Sequence, residues 1–295
     1  LCREPPREER VKPAPFAYVK PSSLDAVFAL LARHGDGAKL LAGGQSLIAT
    51  LNMRLSAPEL LIDINGLPGL ADITEANGVL RIGALVRHAT LGASPLVQRH
   101  APLLARAVPF IAHPAIRNRG TIGGSLAFAD PAAELPASVV ALDATLELTG
   151  ANGTRKLPAR DFFTGLYQTA LASAELVTAL DVPLPGADAC DGFDELARRH
   201  GDYAMVGLAA HGRRAGAGFA ALNLVFFGVG TGPVTASAAS TTLITDATVI
   251  AAAQAALGQD LDPPADLHGS ARTKLHLARV LLGRVVGRMI DGRAS

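Results

Sequence analysis

The sequence predicts a mixed α/β protein built in two parts, and three observations carry that prediction. Segments with helical spacing alternate with short apolar runs as far as Val182. Two glycine pairs, Gly43-Gly44 and Gly123-Gly124, each close an apolar run. The stretch Pro183-Leu184-Pro185-Gly186-Ala187-Asp188 then breaks the pattern, and a smaller sheet-plus-helix region follows over roughly residues 192–295.

Structure is expected to begin near Phe16, with residues 1–15, charged and proline-rich, forming a flexible extension. Ser22 or Ser23 caps a helix whose apolar positions Leu24, Val27, Phe28 and Leu31 share one face, and Gly35 or Gly37 ends it. Ala38 to Ala42 is a short buried strand ended by Gly43-Gly44, and Leu60 to Ile64 is a second, closed by Asn65-Gly66. Lobe one thus spans about 16–70, with its loop at a strand's carboxyl end, where open α/β sheets hold ligands. Lobe two, about 71–187, starts with the alternating strand Val79–Ile82. Helices follow at Leu91–Gln98, Leu103–Ile111 and Ala132–Leu142, the last capped by Asp130 with Pro131 at its first position. No helix is predicted directly after Gly43-Gly44, and Arg117 and Arg119 read as solvated strand charges, with phosphate or partner contact as the alternative. Thr145–Thr149 and Thr154–Leu157 flank Gly150-Ala151-Asn152-Gly153 as a hairpin, and Leu176–Val182 is a strand. In the last part, Ala204–Ala210 and Phe219–Val229 read as strands, and Ala247–Leu257 and Leu267–Met289 as helices. The patches Ala215–Gly218 and Ala236–Ala239 read as turns and helix ends.

Composition excludes several functions. A net charge of +1 offers no polyanion-binding surface, so nucleic acid is not an expected partner. Cys2 and Cys190 are the only cysteines, too few to ligate an iron–sulfur cluster, and no zinc spacing is present. Neither a signal peptide nor a run of about 20 apolar residues is visible, which makes the cytoplasm the expected location. No Ser-His-Asp or Cys-His arrangement can be assembled, and no general acid or base stands out.

What remains is a binding signature. Glycine permits positive φ and close approach of a ligand, and successive N–H groups in such a turn make an anion-binding nest. Gln45, Ser46, Thr121 and Ser125 flank the two pairs with further donors. One pair alone is a tight turn; two together point to a dinucleotide held from both sides. Neither matches G-x-G-x-x-G or a Walker loop, which argues against a Rossmann site and against ATP chemistry. Glu134, just past the second pair, can accept hydrogen bonds from ribose or ribityl hydroxyls.

These residues resemble the FAD-binding medium subunit of the molybdenum hydroxylases, a family that includes bacterial carbon monoxide, nicotine-type and quinoline-type dehydrogenases and the flavin domain of xanthine dehydrogenase. The matching elements are Ala42 to Leu47, Arg117 to Leu126, Asp130 to Pro136, and Gly201 to Val206. The resemblance implies a two-lobed FAD-binding domain of the vanillyl-alcohol-oxidase-like (PCMH) type, over 16–187, and a small C-terminal flavoprotein domain. It places Leu40, Leu41, Ala42, Gly43, Gly44, Gln45, Ser46 and Leu47 around the FAD pyrophosphate. Thr121, Ile122, Gly123, Gly124 and Ser125 would hold its other side, with Glu134 toward the sugar hydroxyls. Ile111 and Val177 align with residues that pack on the cofactor, and Tyr203 and Met205 with the flavin edge, where the xanthine dehydrogenase branch has lysine in place of Met205. It also implies a small iron–sulfur subunit and a large molybdenum-cofactor subunit as partners, in a dimer of heterotrimers. The implied role is electron transfer through FAD to an external acceptor. The rival reading is a self-sufficient FAD-dependent oxidase of the related two-lobed fold.

Overall fold

Lobe one forms because a single amphipathic helix can cover one face of a short parallel sheet. In the computed structural model, which describes residues 12–292, this lobe contains β1 (Ala17–Val19), α1 (Leu24–His34), β2 (Ala38–Leu41), α2 (Leu47–Asn52) and β3 (Leu60–Asp63). The reading of a flexible extension falls largely on residues outside the described range, as do Cys2 and the last three residues. The strands run in the order β1-β3-β2, all parallel. Ser23 caps α1 by accepting from the Ala26 N–H, and Val27 and Phe28 pack on Leu60 and Ile62. Against expectation, α2 begins directly after the first glycine pair. Its cap residue Ser46 makes no side-chain hydrogen bond, so the sequence carries no start signal there.

Lobe two has five antiparallel strands in the order β4-β5-β10-β6-β7: β4 (Ile73–Ala76), β5 (Val79–Gly83), β6 (Thr145–Gly150), β7 (Gly153–Pro158) and β10 (Leu176–Pro183). A two-stranded ribbon, β8 (Phe163–Gly165) and β9 (Gln168–Thr169), lies between β7 and β10 in sequence. The helices are α3 (His88–Ala93), α4 (Pro95–His100), α5 (Pro102–Ala107), α6 (Pro114–Arg117), α7 (Ile122–Phe128) and α8 (Glu134–Ala141). The expected helix Leu91–Gln98 is two helices, because Pro95 cannot donate into a continuing turn and Ser94 caps the second. The region of Arg117 is helical rather than extended. Arg117 Nη1 donates to the carbonyls of Ile111 (2.8 Å) and Ala112 (3.0 Å), so it braces a turn instead of facing solvent alone. α8 starts at Glu134, not near Asp130. Asp130 instead accepts from the Ala132 N–H at 2.9 Å, which turns the chain ahead of the helix.

The C-terminal unit is a four-stranded antiparallel sheet, β11 (Ala189–Leu196), β12 (Val206–Ala215), β13 (Gly218–Phe227) and β14 (Val234–Thr235). Helices α9 (Ser237–Thr245), α10 (Ile250–Asp260) and α11 (Ala271–Ile290) cover one face. The sheet begins at Ala189, upstream of residue 192, and the Ala236–Ala239 patch opens α9. Its other face presents Phe193, Ala209, Val225 and Phe227 to the core of lobe two. Burial on both faces explains why β12 and β13 read as continuous apolar runs rather than alternating ones.

Phe193 and Phe227 stack with ring centroids 5.9 Å apart. Gly207, paired with Phe227 across the sheet, leaves the space for that ring, since a methyl there would lie 1.9 Å from Phe227 Cζ. Gly207→Ala should therefore destabilise the fold by about 1–3 kcal/mol through overpacking, read as a lower denaturation midpoint. An unchanged midpoint would show that Phe227 moves freely and does not anchor the sheet.

Candidate functional site

The two glycine loops meet. A Cβ on Gly43 would come within 2.4 Å of the Arg119 carbonyl oxygen and 2.8 Å of Gly120 Cα, so only glycine lets the first loop lie against the segment entering the second. Gly44 has φ +73°, the left-handed region that favours glycine. Beyond it, the N–H groups of Gly43, Gly44, Gln45, Ser46 and Leu47 have no acceptor among the described residues. Five successive unpaired amides at the entrance to α2 form an open cradle for an anion.

The second loop is built differently. The Ile122 N–H donates to Val86 O (3.0 Å) and the Gly123 N–H to Ala84 O (2.8 Å). The Gly124 N–H donates to Thr121 Oγ1 (3.1 Å), and the Ser125 N–H to Thr121 O (3.0 Å). The expectation of a second open nest is thus corrected, because its amides are already used to cap α7 and fasten it to lobe two. Thr121, Ile122 and Gly123 are buried in that joint; a methyl on Gly123 would strike Ala84 Cβ at 2.4 Å. Gly124 and Ser125 keep accessible surface beside Ala42.

A polar clasp that sequence reasoning missed holds the joint. Asn65 Nδ2 donates to Ala42 O at 2.7 Å, and Asn65 Oδ1 accepts from Arg87 Nη2 at 2.5 Å. Arg87 Nη1 donates to the Arg119 carbonyl. Asp63 orients Asn65 by accepting from both its N–H (2.8 Å) and its side-chain amide (2.7 Å). The only signal was the dipeptide Asn65-Gly66, which reads as an ordinary turn; nothing in the sequence marks Arg87. A cavity of about 170 Å³ adjoins the clasp, lined by Asn65, Arg87, Leu85 and Thr90.

The remaining predicted residues come from both lobes and from the C-terminal unit. Leu40 and Leu41 are half-buried in lobe one, and Leu41 O also accepts from Asn65. Val177 is buried at a bulge of β10, next to the Thr178 carbonyl that accepts from the Ala84 N–H. Ile111 is buried at the turn that Arg117 braces. That turn includes Ala112 at φ +39°, against whose carbonyl a Cβ on Gly201 would lie at 2.8 Å. Tyr203 is exposed over most of its surface; partial desolvation of its hydroxyl, and then the charges of Asp130 and Glu134, raise its pKa. Met205 is half-buried, with its carbonyl against Gly228, whose N–H donates to Pro131 O at 2.8 Å.

Glu134 carries a strongly shifted carboxyl group. Burial, and then the charge of Asp130, pushes its pKa up to about 7, while its own N–H works the other way. Its carboxylate bonds to no other described residue, which leaves it acceptor capacity. No group of metal-ligating side chains occurs among the described residues, and no helix there is long and apolar enough to cross a membrane.

Comparison with known proteins gives the family. Residues 14–185 match the family described as the FAD binding domain in molybdopterin dehydrogenase, and residues 191–289 the CO dehydrogenase flavoprotein C-terminal domain. The chain is 41% identical, over 95% of its length and 96% of the relative's, to the 6-hydroxypseudooxynicotine dehydrogenase complex subunit alpha of Paenarthrobacter nicotinovorans. It superimposes with a TM-score of 0.92 and 37% identity on a chain of carbon monoxide dehydrogenase from Hydrogenophaga pseudoflava, covering 96% of this chain and 99% of that one. Against a chain of quinoline 2-oxidoreductase from Pseudomonas putida 86 the TM-score is 0.90 at 36% identity, covering 95% and 99%. The chain belongs to the family of FAD-binding medium subunits of the molybdenum hydroxylases, and is an oxidoreductase subunit with an FAD-binding domain.

His88 lies under the joint, buried, with neither ring nitrogen hydrogen-bonded. Burial, helped by the charges of Arg87 and Arg117, pushes its pKa down to about 4, while the nearby Thr121 carbonyl works the other way by favouring the protonated ring. The unfolded chain, with an ordinary histidine, binds this proton more readily. Stability from His88 is therefore complete above about pH 6.5 and falls as the pH drops toward 4, by about 2 kcal/mol at pH 5. Denaturant unfolding at pH 7 and pH 5 should show a smaller acid loss in His88→Leu than in the parent protein. Equal losses would remove His88 as the source.

Proposed function

We propose that this chain is the FAD-carrying electron-transfer subunit of a heteromeric molybdenum-containing hydroxylase. In this reading it works beside a small iron–sulfur subunit and a large molybdenum-cofactor subunit, in a dimer of heterotrimers, and serves an external acceptor. The residues fit FAD. The unpaired amides of Gly43 to Leu47 match the diphosphate, with Gly124 and Ser125 on the facing wall. Glu134 offers an acceptor to the sugar hydroxyls, and Tyr203 and Met205 border the flavin edge. Bound FAD supplies exchange of electrons one or two at a time, chemistry that protein side chains lack. The chain's part is to bind it, orient it and keep water from its ring. This division of labour agrees with the lack of any acid–base dyad in the sequence, and the two cysteines agree with clusters housed on another polypeptide.

The five free amides of the first loop are the observation that carries the proposal. The test is whether purified protein shows flavin absorbance that bleaches only when clustered partner subunits and a reducing substrate are present. Turnover by the isolated chain would overturn it in favour of a self-sufficient oxidase. Gly44→Val should abolish FAD retention, since a branched side chain is strained at φ +73° and crowds Leu41 and Ile48 at 3.2 Å, displacing the loop; full flavin occupancy would refute the loop assignment. Glu134→Ala should weaken FAD by about 1–3 kcal/mol through loss of a charge-assisted hydrogen bond, and an unchanged dissociation constant would remove Glu134 from the site.

A further inference from the structure

Glu195 belongs to no motif, yet it is one of the few charged side chains buried in the protein, only 8% exposed. It lies on β11 two residues from Phe193 and opposite Gly207, so it shares the sheet face that packs on lobe two. α8, which opens with Glu134, packs on the neighbouring strands β12 and β13. Glu195 Oε2 is buried and has no hydrogen-bond partner among the described residues. A buried, unpaired carboxylate is costly unless it carries a proton or acquires a partner. The nearest charges make ionisation harder, since the two carboxylates that act on Glu195 are Glu134 across the seam and Asp194 on its own strand. Asp194 is already neutralised by Arg288 of α11 at 2.9 Å, which leaves Glu134 as the unneutralised neighbour.

We infer that Glu195 and Glu134 act as one carboxyl pair holding a single proton across the seam between the C-terminal sheet and lobe two, with Glu195 neutral so that an ionised Glu134 can serve the coenzyme. Glu195 is then a positioning residue whose neutrality keeps a second negative charge away from the ligand. This deepens the proposed function and rests on Glu134 being an FAD ligand. The other groups facing the pair are Asp130, ahead of α8, and Tyr203, ahead of β12, with Tyr167 beside them. Both tyrosines are held above their ordinary pKa, burial being the first cause, so neither adds a titration near neutrality. Burial, then Glu134 and Asp194, pushes Glu195 up to about 8. Above that pH a second negative charge enters the seam against an anionic ligand. Affinity should then fall by up to tenfold per pH unit.

The test is the FAD dissociation constant of the flavin-depleted protein, in its purified assembly, from pH 6.5 to 9.5, followed by flavin fluorescence. The parent protein should lose affinity above about pH 8. Glu195→Gln, neutral and of the same shape, should lose that alkaline limb while binding FAD at pH 7 as before. In Glu134→Gln the limb should move to lower pH, because the charge that holds the proton on Glu195 is gone. An alkaline limb of the same midpoint in all three proteins would overturn the pairing, as would its absence in the parent. A uniform weakening of Glu195→Gln at every pH would also overturn it, showing a role in packing only. Should Glu195→Gln fail to fold, the midpoint shift in Glu134→Gln decides alone. Protein that binds no FAD at any pH would instead bring down the underlying reading of the site.

Discussion

The two glycine loops meet backbone against backbone, where Gly43 lies on Arg119 and Gly120 with no room for a single methyl. Everything at the site depends on that approach. It brings the free amides after β2 beside the start of α7, although about eighty residues separate them in sequence. Glycine permits the contact but does not hold it. Holding falls to Asn65 and Arg87, whose hydrogen bonds run from Ala42 O on one side to Arg119 O on the other. One loop keeps its amides open because the other has spent its own on being fixed in place.

The C-terminal unit is part of the core rather than an appendage. Its sheet gives one face to α9, α10 and α11 and the other to lobe two, so Phe193 and Phe227 belong to the same apolar cluster as α8. Hydrogen bonds reinforce the docking. Arg106 donates to Asp191 O at 2.6 Å, and Asn223 Nδ2 donates to Ala141 O at 3.1 Å. The loop bearing Tyr203 and Met205 is thus carried to lobe two by a rigid sheet.

Much of this was legible in the sequence where the signal is local. Strands β2, β3, β10 and β13 stand out as apolar runs, β5 by its alternation, and the hairpin of β6 and β7 is announced by its glycine turn. The family resemblance carried the architecture further than periodicity could. Local signals failed where structure is made by distant contacts. The edge strands β1 and β4 are short and largely exposed, and α2 is a six-residue helix without a capping bond. The glycine pairs look alike on paper, yet whether an N–H is free depends on where Ala84 and Val86 lie in space. The clasp of Asn65 with Arg87 and the burial of Glu195 share that cause, since each joins residues that only the tertiary fold makes neighbours.

In the proposed reading three stretches of chain, 43–47, 121–134 and 201–205, border the coenzyme. A coenzyme spanning all three would oppose the local opening of any one, adding its binding free energy to the fold by mass action. Vitamin-derived flavin would then act as a lifetime switch for the polypeptide itself. Under riboflavin starvation the empty subunit would breathe more often and be cleared sooner by cellular proteases, and its abundance would follow the coenzyme supply.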